Sequence, residues 1–173
     1  MDSRPRPRNC RRAFTLLEVV VAAGMMAALM TAGMVLLRTS QSVWEGYQDD
    51  HDRLEAGHAV VRHVVRHVRQ ADAITSLKPA DDGTGRLTIT TPSGEEYTWG
   101  LAGTAAQLAV DGVRGPLALG ISTLEFVGYE ADGVTVAATE TDVQCVECTV
   151  TVQLPRTSGE TRTIRGRAWR RGW

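Results

Sequence analysis

The sequence predicts an α+β protein, with one long N-terminal helix followed by a body of antiparallel strands. Three observations predict it. Residues 14–37 form a nearly uninterrupted apolar run. Apolar residues then recur at three- and four-residue spacings as far as about Ala73, the period of an amphipathic helix. From Asp81 onward the pattern becomes alternation broken by turn residues, which is the texture of strands.

The elements follow in chain order. Residues 1–13, MDSRPRPRNCRRA, hold five arginines and one aspartate. The whole chain has 19 Lys+Arg against 20 Asp+Glu, so the remainder stands at 14 against 19 and is mildly acidic. That balance gives no reason to expect nucleic-acid binding. Phe14 to Leu37 follow, 24 residues with Glu18 as the one charge. As a helix they span about 36 Å, enough for a bilayer core of ~30 Å. Small residues (Ala22, Ala23, Gly24, Ala27, Ala28, Ala32, Gly33) permit close helix–helix contact. The basic flank orients the N-terminus to the cytoplasm and everything after Arg38 to the far side. A secretory signal peptide has a shorter apolar core, about 7–15 residues, closed by a small-residue cleavage site. Glu18 lies about 6 Å along the axis from Phe14, near headgroup depth, so one reading makes it an interfacial carboxylate.

Beyond the bilayer, Val43, Trp44, Tyr47, Leu54, Val60, Val61, Val64, Val65, Val68 and Ala71 continue the helical spacing. One helix is expected over residues 14–73, bent near Gly46 or Gly57. Its second half, 38–73, needs the protein's own sheet as a partner. The body is expected over 74–173. Ala80–Gly85 reads as a loop, Arg86–Thr91 as a strand and Pro92-Ser93-Gly94 as a turn before Glu95–Leu101. Further strands are predicted at Gln107–Val110, Leu117–Tyr129, Val134–Ala138, Val143–Leu154 and Thr161–Trp169. Ala131-Asp132-Gly133 and Thr157-Ser158-Gly159 read as hairpin turns. Val146, Cys148, Val150, Val152 and Leu154 make one apolar face against Glu147, Thr149, Thr151 and Gln153, as in an antiparallel sheet covered on one side.

Arg11-Arg12-Ala13 followed by Phe14-Thr15-Leu16-Leu17-Glu18 resembles the prepilin processing and methylation signal of type IV pilins and type II secretion pseudopilins. The resemblance implies cleavage between Ala13 and Phe14 by the prepilin peptidase, N-methylation of Phe14, and an assembly role for Glu18. The residue before the cut is usually Gly in that family; here it is Ala13, also small. The new cationic amine would offset a carboxylate that lies in an apolar bundle, on a neighbouring subunit or the same one. Val35 stands where many major pilins carry a helix-bending Pro, which is compatible with a minor component.

The later order of elements is similar to the body of J-type minor pseudopilins: Ile121-Ser122-Thr123-Leu124-Glu125-Phe126, Tyr129-Glu130-Ala131-Asp132-Gly133, a Val-x-Val-x-Leu strand and a basic final strand. This implies a pilin-like fold and a non-enzymatic structural subunit near the tip of a pseudopilus that supports protein export. Its partners would be the prepilin peptidase, other pseudopilin subunits and inner-membrane lipid, with no cofactor. The chain would be single-pass in the inner membrane, N-terminus cytoplasmic and body periplasmic. Two alternatives stay open: another pilin-like minor subunit serving pilus assembly or DNA uptake, and a membrane-tethered periplasmic binding domain that never polymerises.

Other candidate chemistry is thin. His63 and His67 stand four apart, a spacing that lets two imidazoles share a metal. Arg62, Arg66 and Arg69 repel a cation, however, and a solvated helix face is expected. Cys145-Val146-Glu147-Cys148 lacks the second pair of a zinc ribbon. In an extended strand these cysteines point to opposite faces, leaving Cys148 in the core and Cys145 outside, or a disulfide across a bulge. The tail from Arg162 to Trp173 is basic with two tryptophans, a polar strand end or a docking patch. There is no G-x-S-x-G motif, and Gly83-Thr84-Gly85 is too short for a phosphate loop. No catalytic, cofactor-binding or metal-ligating residue is therefore assigned.

Overall fold

A computed structural model of the chain describes residues 15–78, 84–156 and 159–171. One long helix precedes two antiparallel sheets, so the fold class is α+β as predicted. The chain divides into two units, residues 1–44 and 45–173.

The helix α1 runs Leu16–Val68. In the first unit its apolar side chains are open: Leu16 is 83% exposed, Met25 66% and Leu36 72%. In the second unit it is amphipathic and buries Gly57, Val60, Val61, Val64 and Val68. It ends five residues earlier than predicted. Gln70 N–H bonds the His67 carbonyl and Ala71 N–H that of Val68, a tightened last turn, and Asp72 N–H then bonds the Thr90 carbonyl of the sheet. Ala71 and Ile74 are both buried, so apolar spacing runs straight through this change of backbone and conceals it.

Strands β1 (Ala73–Lys78), β2 (Arg86–Thr90), β3 (Glu96–Ala102), β4 (Ala105–Val110) and β5 (Val113–Leu119) form a five-stranded meander in sequence order. β1 was not foreseen, since its first residue was assigned to the helix. β5 was only partly foreseen. It is joined to β4 by Asp111-Gly112, both at positive φ (51° and 83°), a hairpin signal that the sequence carries. Pro116 within β5 obscures the strand and is tolerated there because β5 is an edge.

Strands β6 (Ile121–Tyr129), β7 (Cys145–Gln153) and β8 (Thr161–Trp169) form a second, three-stranded antiparallel sheet. The expected single strand Leu117–Tyr129 is therefore two strands in different sheets. Gly120 lies between them at φ +77°, and Ile121 N–H turns to the Thr104 carbonyl. A left-handed residue breaks the pleat, and the chain changes sheet there. The strand expected at Val134–Ala138 does not form. Asp132 Oδ1 accepts the backbone N–H groups of Val134 and Thr135, both at 2.9 Å, and its Oδ2 accepts the Thr135 hydroxyl at 2.6 Å. These side-chain bonds take donors that a ladder needs. One isolated bridge, Tyr129 to Val136, is what remains. The turn at Ala131–Gly133 is present, closed by Gly133 N–H on the Glu130 carbonyl. Residues 79–83 and 157–158, in the other predicted loop and turn, lie outside the described residues.

Within the second unit α1 packs on both sheets in one core. Val60, Val64 and Val68 meet Leu87, Ile89 and Trp99 of the larger sheet and Ile121, Leu124, Phe126, Val150 and Val152 of the smaller. Burying each such side chain is worth about 1.5–3 kcal/mol. The approach of helix to β7–β8 is close because each side contributes a glycine, Gly57 on α1 and Gly166 on β8. A Cβ at Gly57 would lie 2.6 Å from Ile164 Cδ1, and one at Gly166 would fall on Val61 Cγ1.

Candidate functional site

The residues singled out from sequence fall in three places. The first is the start of the apolar helix. Ala13 and Phe14 lie outside the described residues. Thr15 is the residue before the helix, and its hydroxyl accepts the Glu18 backbone N–H at 3.3 Å while its carbonyl accepts the same N–H at 3.0 Å. Thr15-Leu16-Leu17-Glu18 thus has the pattern of a capping box, a local signal the resemblance-based reading passed over. It gives Glu18 a favourable place in the first turn, near the positive end of the helix dipole.

Downstream, the small residues of this stretch are open among the described residues at the two glycines that report on it. Among the described residues, no side chain and no backbone beyond the helix's own adjacent turns lies within 4 Å of a Cβ built at Gly24 or Gly33. Thr31 and Thr39 return their hydroxyls to backbone carbonyls of the preceding turn (Thr31 to Ala27 and Ala28, Thr39 to Val35), so they add no free polar group to the apolar surface. Among the described residues this is one helix long and apolar enough to cross a membrane.

The second place is the histidine pair. His63 and His67 are not on a solvated face, contrary to expectation. Both are half-buried in an aromatic cluster with Tyr97 and Trp99 of β3. The two imidazoles stack at 4.2 Å, and His67 lies 4.7 Å from the Tyr97 ring. Trp99 Nε1–H donates to His63 Nδ1 at 3.1 Å, which fixes the neutral His63 with its proton on Nε2. His67 Nδ1 donates to the His63 carbonyl at 2.8 Å. Burial first, then His67 and Arg66, lower the His63 pKa to about 4. Both Nδ1 atoms are thereby engaged, and no group of three or more potential metal ligands exists among the described residues. The sequence hid this because Trp99, the residue that claims His63, is 36 positions away.

The third is β7. Cys145 and Cys148 are both free thiols and both buried. Cys148 faces the helix side, and burial pushes its thiol up to about 12, so it is an inert core residue. Cys145 is inside rather than outside, because the sheet is covered on its second face as well. The segment after β6 returns over that face. Arg167 Nη1–H donates to the Gly133 carbonyl at 3.4 Å, and Gln144 N–H to that of Tyr129 at 2.9 Å. Glu147, also expected on the open side, is 9% exposed and ion-paired with Arg167 across β7–β8. Arg167 in turn lies 4.9 Å from the Tyr129 ring centre. Burial raises the Cys145 pKa and the neighbouring Arg167 partly opposes it. This is a satisfied structural network.

What can act outwardly is therefore the uncovered apolar helix with its single carboxylate and the charged outer surface of the body. Comparison with protein-family models, with curated proteins and with solved structures gives no match.

Proposed function

We propose that this chain is a minor pseudopilin-like structural subunit: an inner-membrane precursor that the prepilin peptidase processes, and that assembles at or near the tip of a type II secretion pseudopilus. One observation carries the reading. A helix apolar enough to span a bilayer, unburied by its own chain, carries a lone carboxylate in its first turn and is preceded by a basic segment. The physics supplies the rest. Cleavage before Phe14 turns a neutral amide into a cation. An amine of that kind compensates the Glu18 carboxylate when apolar helices bundle away from water, where an unpaired carboxylate is costly. The capping geometry adds to this. Thr15 caps the first turn that carries Glu18, which holds that carboxylate at the helix N-terminus. One long helix followed by antiparallel sheets is compatible with a pilin-like subunit.

The test is the mature N-terminus together with a Glu18 variant. Mass spectrometry of the native protein is expected to find N-methylated Phe14. Glu18→Ala is expected to insert in the membrane normally and to lose cross-linking to other subunits. A functional chain that retains Met1 to Ala13, or a Glu18→Ala variant that assembles normally, overturns the proposal. The first outcome favours a tethered domain that never polymerises.

A further inference from the structure

We propose that the outer edge of β8 takes up an extended, carboxylate-rich segment of a partner protein as a fourth strand of the smaller sheet. The inference concerns the body alone and holds whether or not the N-terminus is processed.

Backbone bonds show which groups are free. The Leu154 N–H donates to the Glu160 carbonyl at 3.0 Å, and the Arg170 N–H donates to the Gln144 carbonyl at 2.8 Å. These two pairs frame the β7–β8 ladder, which keeps one register from Cys145↔Trp169 to Gln153↔Thr161. Main-chain groups alternate in direction along a strand. The even-numbered residues of β8 therefore bond β7, and Thr161, Thr163, Arg165, Arg167 and Trp169 turn their N–H and C=O groups outward. β8 ends its sheet, and none of these main-chain groups has a partner among the described residues.

The other sheet edges are blunted. β1, β5 and β6 each carry one extra residue where the register shifts, Thr75, Leu117 and Ser122. Such bulges spoil an edge for pairing. β5 also holds Pro116, and β6 is bridged by Thr84. β8 runs nine residues with neither a shift nor a proline. Its guard is charge alone, and charge selects a partner.

The surplus is basic. Arg162 is paired with Glu160, and Arg167 with Glu147. Arg165 is exposed and has no ion-pair partner among the described residues. On the helix side, Val65 of α1 comes within 3.1 Å of a Cβ built on Gly166. Around Val65, Arg62, Arg66, Arg69 and Gln70 join Arg171, just past β8, in lining an open groove of about 360 Å³. Its four arginines also have no ion-pair partner among the described residues. An added strand gains main-chain bonds from the edge, and the alternation of its side chains turns one row toward the groove. Carboxylates in that row offset the guanidinium groups.

A second copy does not supply this strand. Pairing β8 with β8 about its centre sets Arg165 against Arg165, a like-charge pair. β5 brings Arg114 and no carboxylate, and Asp49, Asp50, Asp52 and Glu55 are held within α1.

The experiment uses the full chain in detergent micelles and a short fluorescent peptide of alternating glutamate and valine. Binding is read by anisotropy, and amide exchange is resolved to single residues. The peptide is expected to bind and to slow exchange at Thr163, Arg165 and Arg167 by about tenfold or more. Arg66→Glu/Arg69→Glu is expected to weaken binding by about tenfold or more. Thr163→Pro removes one outward N–H at a place where an edge tolerates proline, and the same loss is expected with the circular dichroism unchanged. Failure of the peptide to bind, or binding without protection of those amides, overturns the inference; the latter marks an unspecific anion patch. Equal binding of a lysine–valine peptide overturns it, as does normal binding by folded Thr163→Pro. Protection that arises on concentrating the chain without peptide makes the occupant a second copy and overturns it too. Should Thr163→Pro unfold, amide protection in the native chain decides.

Discussion

At His63, a side chain of ordinary titration behaviour is held neutral by its surroundings. Its pKa falls from 6.5 to about 4, chiefly through burial, with His67 and Arg66 adding repulsion. Because the folded value is depressed, the unfolded chain binds this proton first. The stability this neutral imidazole allows is complete above about pH 6.5 and is lost as pH falls toward 4. The half-exposed ring limits the loss to roughly 1 kcal/mol after solvent screening. Urea midpoints measured between pH 7 and 4 are expected to fall, and to fall less in His63→Gln. A second residue-scale prediction concerns Glu147, buried beneath Arg167. Arg167→Ala strands a carboxylate and is expected to cost about 2 kcal/mol, whereas Glu147→Gln, which removes the charge but keeps an acceptor, is expected to cost less. Denaturant titration of both variants checks the order. Neither site was legible in the sequence. A histidine at helical spacing and a glutamate alternating with valines both look solvated until a distant strand or a returning loop covers them.

Among the elements, the two glycines at the contact of α1 with β7–β8, Gly57 and Gly166, behave differently on substitution. Gly57→Ala places a methyl 2.6 Å from the flexible end of Ile164 and 3.0 Å from Val152 Cγ1 but gains about 1 kcal/mol of helix propensity, so its net cost is expected to be the smaller of the two. Gly166→Ala drives a methyl into Val61, whose branched side chain cannot rotate away, and is expected to cost about 1–3 kcal/mol. Thermal unfolding of the pair separates them. Gly120 sits where the chain leaves one sheet for the other at φ +77°. Gly120→Ala is expected to lose about 1–2 kcal/mol from the left-handed backbone alone, with Arg53 displaced in addition. Here the sequence was partly legible. β7 and β8 and the turn at Pro92–Gly94 follow directly from alternation and turn chemistry. The sheet change at Gly120 did not, because apolar residues continue on both sides of it.

For the molecule as a whole, the division into a bare apolar unit and a cored one separates two kinds of mutation. Leu29→Ala, on an exposed side chain, is expected to leave the unfolding midpoint of the body unchanged in micelles. Val64→Ala, at 1% exposure, is expected to cost about 2 kcal/mol or more. Equal effects would show that the two units unfold as one. Sequence by itself determined the fold class, the apolar helix and its lone Glu18, and the inward face of β7. Each of these is written in local periodicity, which needs only the next few residues to be read. The tertiary structure alone decided that the strands make two sheets rather than one, that β1 follows the helix directly, that Cys145 and Glu147 are inside, and that Trp99 takes His63 out of solvent. Those outcomes depend on which distant segment covers a face, and apolar spacing is the same on a residue covered by a helix, by a strand or by a loop.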